Sequence, residues 1–186
     1  LKVDTVTERT CRRLNRPHGR LDLASVGDGM RAFAAEFAGT LATETMLVAG
    51  GNDTAAEARA VAAFLAELDP DVAYVSIPTR PPARPDVHAA GSEAVVAAHE
   101  ILAHRLRRVE LLLGYEGDAF SATGDAAANL VAITAVHPMR EEAVSDLRCR
   151  TGAPWSVVEQ LLAAGTLATV EHAGHRYLVH RARVRP

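Results

Sequence analysis

A short apolar strand that ends in a proline-rich loop is the feature that most constrains the fold of this chain. The run Val72–Val75 is followed at once by Ser76, Ile77 and Pro78. This pattern is typical of a buried parallel strand, and loops that follow parallel strands hold ligands in α/β sheets and barrels. We therefore expect a binding or catalytic site at this end of the strand.

Strand and helix patterns alternate through the first two thirds of the chain. The predicted elements are a helix over Asp22–Phe37, a strand over Leu41–Val48, a helix capped by Asp53 or Thr54, a strand over Val72–Ile77, a helix capped by Ser92 and a strand over Val109–Leu113. Such alternation predicts a parallel sheet with right-handed crossovers. Periodicity alone leaves open whether the sheet is open or forms part of a barrel.

The pattern changes near Gly124, where helices and a hairpin replace the alternation. The predicted elements are helices over Asp125–Ile133, over Arg140–Arg150 and from Pro154 onward, then a hairpin of Thr169–His172 and Arg176–Val179. Helices followed by a hairpin resemble a small winged-helix module. We therefore predict two domains, residues 1–124 and residues 125–186.

Composition excludes several classes of protein. Of the 186 residues, 48% are hydrophobic, enough for a core, and the net charge of −3 does not indicate a nucleic-acid partner. No apolar run reaches membrane-spanning length. Cys11 and Cys149 are the only cysteines and predict neither a disulfide framework nor a zinc site, and the hairpin histidines predict no metal site. A reducing cytoplasm is the expected compartment.

The chain starts with Leu1, and Leu1–Asp4 already has the pattern of a strand interior. A parallel strand needs neighbours, so we expect a fragment of a larger protein, with an alternative start codon as the second explanation. The open sheet edges of such a fragment lead us to expect self-association.

Three strand ends in succession and a stretch of the tail carry the most distinctive motifs of the chain. They are Lys2–Thr5 with Asn15–His18, Thr43–Val48 with Gly51–Asp53, Ser76–Pro82, and in the tail Thr134–Glu142 with Trp155–Val158. The strand ends resemble the fourth, fifth and sixth barrel strands of radical S-adenosylmethionine (SAM) enzymes, and the tail resembles the extension of some iron–sulfur oxidoreductases related to wyosine-base synthases of tRNA. The resemblance implies an α/β fold: the C-terminal half of a partial (β/α) barrel, followed by a small winged-helix-like α+β module.

The resemblance also implies a chemistry that this chain cannot complete. In the family, a CxxxCxxC loop binds a four-iron four-sulfur cluster, and SAM bound to it is cleaved reductively. No CxxxCxxC occurs here. We therefore expect the SAM-positioning and substrate side of such an enzyme, inactive alone, whose partner is the missing N-terminal half-barrel in the same or a separate chain. A tRNA base is one expected substrate.

Glu44 is the strongest single candidate for a site residue, because a carboxylate inside a parallel strand is costly unless it is paired or faces a polar cavity. It would bind SAM or substrate, or else form an internal salt bridge with Arg80 or Lys2. The resemblance assigns Asp4 to the SAM ribose, with Lys2 on the same side of its strand. Asp4 as an ordinary strand-end turn residue is the alternative.

The remaining candidates follow the strand ends. By resemblance, Ser76, Ile77 and Pro78 would lie beside the adenine, and Arg80 would pair with a carboxylate or remain a solvated loop residue. Asn52 would contact the cofactor or simply form a turn. Tyr115 and Glu116 are weaker candidates for the substrate side.

A second function, of a different class, is a non-enzymatic module that binds nucleic acid or protein through the tail. The hairpin and the residues after it carry Arg176, Arg181, Arg183 and Arg185, which suit a nucleic-acid backbone. Glu159 and Glu171 reduce that positive charge, so packing against the barrel or against a partner is the favoured use.

Overall fold

The computed structural model of the protein describes residues 1–84, 86–114 and 125–183. It divides into two compact units, of which the first contains Leu1–Thr79 and Asp86–Gly114 and the second the rest of the chain. The predicted boundary near residue 124 lies outside the described residues, as do Tyr115 and Glu116.

The first unit is a parallel β-sheet with helices between its strands. Its elements are α1 (Glu8–Leu14), α2 (Leu23–Glu36), β1 (Ala42–Met46), α3 (Ala55–Leu68), β2 (Val72–Ser76), α4 (Ser92–Ala103) and β3 (Val109–Leu112). The strands lie in the order β1-β2-β3, with Glu44 opposite Tyr74 and Tyr74 opposite Glu110. The predicted parallel sheet is confirmed for these three strands.

The segment Lys2–Thr5, predicted as a strand, forms only one parallel bridge to β1, between Lys2 and Glu44. The N–H of Val3 donates to the carbonyl of Glu44 at 2.8 Å. One residue later, the side chain of Asp4 replaces the backbone ladder by accepting the N–H of Met46 at 2.9 Å. The pairing is shorter than predicted because this carboxylate ends it.

Both crossover helices of the sheet pack on the same face. Helices α3 and α4 contact each other and share one core with Ala73 and Val75 of β2. Right-handed crossovers between strands in sequential order require this arrangement. Because side chains alternate along a strand, Glu44, Tyr74 and Ser76 point to the opposite face.

Side-chain caps account for the starts of α2 and α3 in the first unit. Helix α2 begins one residue later than predicted because Asp22 is extended and accepts the N–H of Ser25. Thr54, one of the two predicted caps, accepts the N–H of Glu57 at the start of α3. The prediction that Ser92 caps α4 is wrong: Gly91 holds the cap position and Ser92 is the first helical residue.

The second unit packs three helices against a small antiparallel sheet. Its elements are α5 (Ala126–Val136), β4 (Met139–Arg140), α6 (Glu141–Thr151), α7 (Ser156–Ala163), β5 (Leu167–His172), β6 (His175–His180) and a 3₁₀ turn over Arg181–Arg183. The strand order is β4-β6-β5. Ala173 and Gly174 both have positive φ, as a two-residue hairpin turn requires, so the predicted hairpin is confirmed.

The starts of two helices of the second unit differ from the predictions. Arg140 lies in β4 rather than in α6, and α7 starts at Ser156, two residues after Pro154. A two-residue strand carries no periodicity, so the sequence pattern could not reveal it. Among the described residues, no helix has both the length and the apolarity needed to cross a membrane.

Two threonines on the core face of β1 provide a matched test of buried hydroxyl groups. Thr43 and Thr45 are 1% and 4% exposed. Within the described residues, the Thr43 hydroxyl has no hydrogen-bond partner, whereas Thr45 donates to the carbonyl of Val3 at 2.8 Å. We expect Thr43→Val to raise the free energy of unfolding by about 1 kcal/mol and Thr45→Val to lower it by about as much. Urea denaturation measures both, and equal destabilisation would contradict the assignment.

Candidate functional site

A polar cluster lies on the sheet face opposite the crossover helices. Nζ of Lys2 lies 3.0 Å from Oε1 of Glu44, and the hydroxyl of Ser76 donates to the same oxygen at 2.7 Å. Lys2 also lies 3.4 Å from Oδ1 of Asp4. Four of the predicted site residues therefore come together, and the partner of Glu44 is Lys2, one of the two expected from the sequence.

The environment of Glu44 favours its charged form. Burial raises the pKa of its carboxyl, but the hydrogen bonds from Ser76 and Lys2 and the charge of Lys2 outweigh it, so the pKa lies below the ordinary value of 4.5. The side chains of Glu44 and Lys2 both remain partly exposed. The cluster is thus a charged carboxylate and an ammonium group, both of which solvent can reach.

Asp4 is held from three sides. Its Oδ1 accepts the N–H of Met46, and its Oδ2 accepts Nδ2 of Asn15 at 3.0 Å. Its backbone carbonyl accepts Nδ2 of Asn52 at 2.6 Å. These bonds fix the end of the Lys2–Thr5 segment against β1 and so hold Lys2 beside Glu44.

The side-chain amide of Asn52 satisfies backbone groups. Nδ2 donates to the carbonyls of Asp4 and Met46, and Oδ1 accepts the N–H of Val48 at 2.8 Å. The residue is 1% exposed. Its observed contacts are those of the turn-forming alternative, and they extend that role to joining the turn after β1 to the Asp4 segment.

The other predicted residues lie beyond the end of β2. Ile77 is half-buried and packs against the core of the first unit, on the helix side of the sheet, because it alternates with Ser76. Pro78 follows it, also half-buried. Arg80 belongs to the second unit.

One important residue escaped the sequence predictions. Glu57 accepts hydrogen bonds from the hydroxyls of Thr5 at 2.7 Å and Thr10 at 2.8 Å, which joins the Asp4 segment and α1 to the start of α3. The spacing of Thr54 and Glu57 is that of a capping box, a signal that could have singled it out. No sequence pattern indicates that Glu57 accepts hydrogen bonds from the hydroxyls of Thr5 and Thr10.

The cysteines do not form a cluster-binding set. Cys11 is buried in α1, and burial raises the pKa of its thiol. Cys149 lies on α6 in the other unit and is exposed. Among the described residues, no three histidine, cysteine or acidic side chains are arranged to hold a metal ion.

Comparison with known proteins finds one informative similarity. The chain is 32% identical over 175 residues, 93% of its length, to a protein of Methanocaldococcus jannaschii named UPF0026 protein MJ1312. The match covers 54% of that relative, so the chain spans about half the relative's length. No protein-family profile matches the chain. No solved structure matches it either.

We expect Asn52→Ala to lower the free energy of unfolding by about 2–4 kcal/mol, because three backbone groups lose their partner in a buried site. Asn15→Ala is the matched control: it removes one hydrogen bond to Asp4 from an exposed residue and should cost about 1 kcal/mol. Chemical denaturation followed by circular dichroism measures both. Similar losses in the two variants would contradict the role given to Asn52.

We expect Lys2→Met to raise the pKa of Glu44, because the variant keeps the burial of the carboxylate and loses the ammonium group. Carboxyl chemical shifts in an NMR titration measure this. Arg108→Met is the control, since Arg108 pairs with Glu110 and should leave the pKa of Glu44 unchanged.

The same variant has a pH-dependent effect on stability. A folded-state pKa below the ordinary value means that the stabilisation is present above pH 4.5 and is lost as the pH falls through the lowered pKa. The difference in unfolding free energy between wild type and Lys2→Met should therefore shrink from neutral to acid pH. A difference that does not change with pH would contradict the ion pair as its cause.

Proposed function

We propose that this chain is a portion of a radical SAM iron–sulfur enzyme, related to the wyosine-synthase group, and that its polar sheet face is the SAM-positioning and substrate side. The observation that carries the proposal is the half-exposed Lys2–Glu44 pair, joined by Ser76. Charged side chains on the face of a parallel sheet reduce the stability of the fold unless that face lines a polar cavity. A lumen that holds a charged ligand is such a cavity.

The position of the helices supports a barrel wall. Helices α3 and α4 lie on one face of three sequentially ordered parallel strands. In a (β/α) barrel all crossover helices lie outside and the other face lines the interior. In a doubly wound sheet helices cover both faces. The polar character of Glu44 and Ser76 fits the interior of a barrel better than a face covered by helices.

The residues fit SAM but not the iron–sulfur cluster. Glu44 accepts from Lys2 and Ser76 through Oε1, and its charged carboxylate suits the ammonium group or the ribose hydroxyls of SAM. Asp4 would support it from the same side. When bound, SAM would supply the reactive group, while this chain orients it. A four-iron four-sulfur cluster needs several thiolates together, and the chain has two cysteines in separate units.

The cluster would therefore come from a further polypeptide segment, either in the same chain or in a partner. The relative from M. jannaschii supports a larger whole, because almost half of its length has no counterpart here. A tRNA base remains one candidate substrate, and Arg80 remains a candidate for pairing with an anionic group.

A non-enzymatic binding role for the second unit is the alternative. Its order of helices and strands and its β4-β6-β5 sheet support a winged-helix-like module. The only charged residue of α7 is Glu159, so this helix lacks the basic face that a nucleic-acid backbone needs. The observation favours a protein partner for this module over nucleic acid.

We expect the 186-residue chain to bind SAM, measured by calorimetry, and Glu44→Gln to weaken binding by about tenfold or more, because a charged hydrogen bond contributes about 1.5–3 kcal/mol. Glu110→Gln is the control: it removes the same charge at the same register two strands away. After anaerobic treatment with iron and sulfide, the chain alone should form no 5′-deoxyadenosine. Absence of SAM binding would overturn the proposal and direct attention to the second unit.

A further inference from the structure

The polar face of the sheet continues beyond Glu44 to a tyrosine and a second carboxylate. Glu44 lies opposite Tyr74 in β2, and Tyr74 lies opposite Glu110 in β3. Lys2 is bridged to the other side of Glu44. Residues in register on neighbouring strands point to the same face, and such strands are about 4.8 Å apart. Tyr74 therefore lies between two carboxylates, on the side of Glu44 away from Lys2.

The side chain of Tyr74 is half-buried, so solvent reaches part of it. Within the described residues, this side chain takes part in no hydrogen bond, ion pair or ring contact. The face of an aromatic ring carries partial negative charge and attracts a cation that lies against it. An aromatic ring without a ring partner, between two carboxylates, is therefore suited to a cationic ligand.

Glu110 has one carboxylate oxygen left for such a ligand. Its Oε1 accepts Nε of Arg108 at 2.7 Å and also pairs with Nη2 of the same guanidinium. Within the part of the chain that the structure describes, Oε2 accepts no hydrogen bond, and the side chain of Glu110 is 38% exposed. One oxygen is enough for an ammonium group, whereas a guanidinium binds best to both oxygens of a carboxylate. The free oxygen therefore favours a primary ammonium group.

Two apolar side chains lie on the same face, two residues further along the strands. Met46 and Leu112 lie opposite Ser76 from its two sides, and both are half-buried. Leu112 follows Glu110 by two residues, so the two side chains are neighbours on this face. A ligand whose charged end reaches Glu110 can place an apolar chain along Leu112, toward the carboxyl ends of the strands.

We propose that Tyr74 and Glu110 form a subsite for a primary ammonium group on an apolar chain, beside the Glu44 site and separate from it. Oε2 of Glu110 accepts an N–H of the ammonium group, the ring of Tyr74 lies against its charge, and the chain lies along Leu112. The inference rests on the proposed function and names its substrate class: SAM occupies the Glu44 side of the face, and the substrate held beside it is an aliphatic primary amine.

The test is an NMR titration of the 186-residue chain with n-hexylamine at neutral pH and about 0.15 M salt. We expect saturable binding that shifts the amide signals of Tyr74 and Glu110, and no such binding of n-hexanol, which has the same chain without the charge. Glu110→Gln should weaken binding by about tenfold or more, because a hydrogen bond to a charged group is lost. Tyr74→Leu should weaken it by about two- to fivefold, because the ring is lost. Tyr74→Phe keeps the ring and should change the affinity by less than about twofold.

The two carboxylates serve as matched controls for each other. Glu44→Gln should weaken the binding of SAM and change the affinity for n-hexylamine by less than about twofold, since solvent and salt screen charges at this separation. Glu110→Gln should do the reverse. Arg108→Met should strengthen the binding of n-hexylamine by about twofold or more, because both oxygens of Glu110 become available. Circular dichroism checks that each variant is folded.

Three results would overturn the subsite: no binding of n-hexylamine, equal binding of n-hexanol, or equal weakening by Glu44→Gln and Glu110→Gln. A lysine side chain carries the same chemical group, so Nα-acetyl-lysine methylamide is titrated in parallel. If it binds more tightly than n-hexylamine, the ammonium group belongs to a polypeptide. If n-hexylamine binds more tightly, the group belongs to a free amine, and both results retain the subsite.

SAM titration into the same samples separates this inference from the proposed function. Amine binding that depends on Glu110, in a chain that binds no SAM, retains the subsite and removes the cofactor. SAM binding by a chain that does not bind n-hexylamine retains the cofactor site and removes the subsite.

Discussion

The buried amide of Asn52 is the interaction on which the geometry of the site depends. It joins three backbone groups, from the Asp4 segment, the end of β1 and the turn that follows β1. The Asp4 segment has little regular pairing of its own, so these side-chain bonds hold it against β1. Glu57 reinforces the same segment through Thr5 from the start of α3. Because Asn52 and Glu57 hold Asp4 and Thr5, which follow Lys2 in the chain, the side chain of Lys2 lies beside Glu44.

The sheet of the first unit is one-sided, and this explains both its candidate chemistry and its exposed surfaces. Helices α3 and α4 bury one face, which leaves the opposite face for the Lys2–Glu44 pair. The same topology ends at an edge beside α2, where apolar side chains remain exposed. The polar face suits a charged ligand, whereas the apolar edge suits contact with another polypeptide.

Several elements were predictable because their signals are local. The Thr-, Leu- and Val-rich run that contains β1, the apolar run of β2, the cap at Thr54 and the turn at Gly174 each depend on neighbouring residues. That Glu44 has a charged partner was also predictable, because a carboxylate within a strand is costly without one. The sequence predictions were wrong where the structure depends on contacts between residues far apart in the chain. The Lys2–Thr5 strand was predicted too long because the sequence cannot show that the carboxylate of Asp4 takes the place of a backbone partner.

By itself, the sequence determined the alternation of strands and helices, the hairpin, and the presence of a carboxylate inside β1, since periodicity, turn chemistry and desolvation act over a few residues. Only the tertiary structure decided which residues surround that carboxylate. Lys2 and Ser76 reach Glu44 from positions 42 and 32 residues away, and Asn52 reaches Asp4 across 48. Such contacts depend on strand order and register, which arise when the whole sheet packs against its helices.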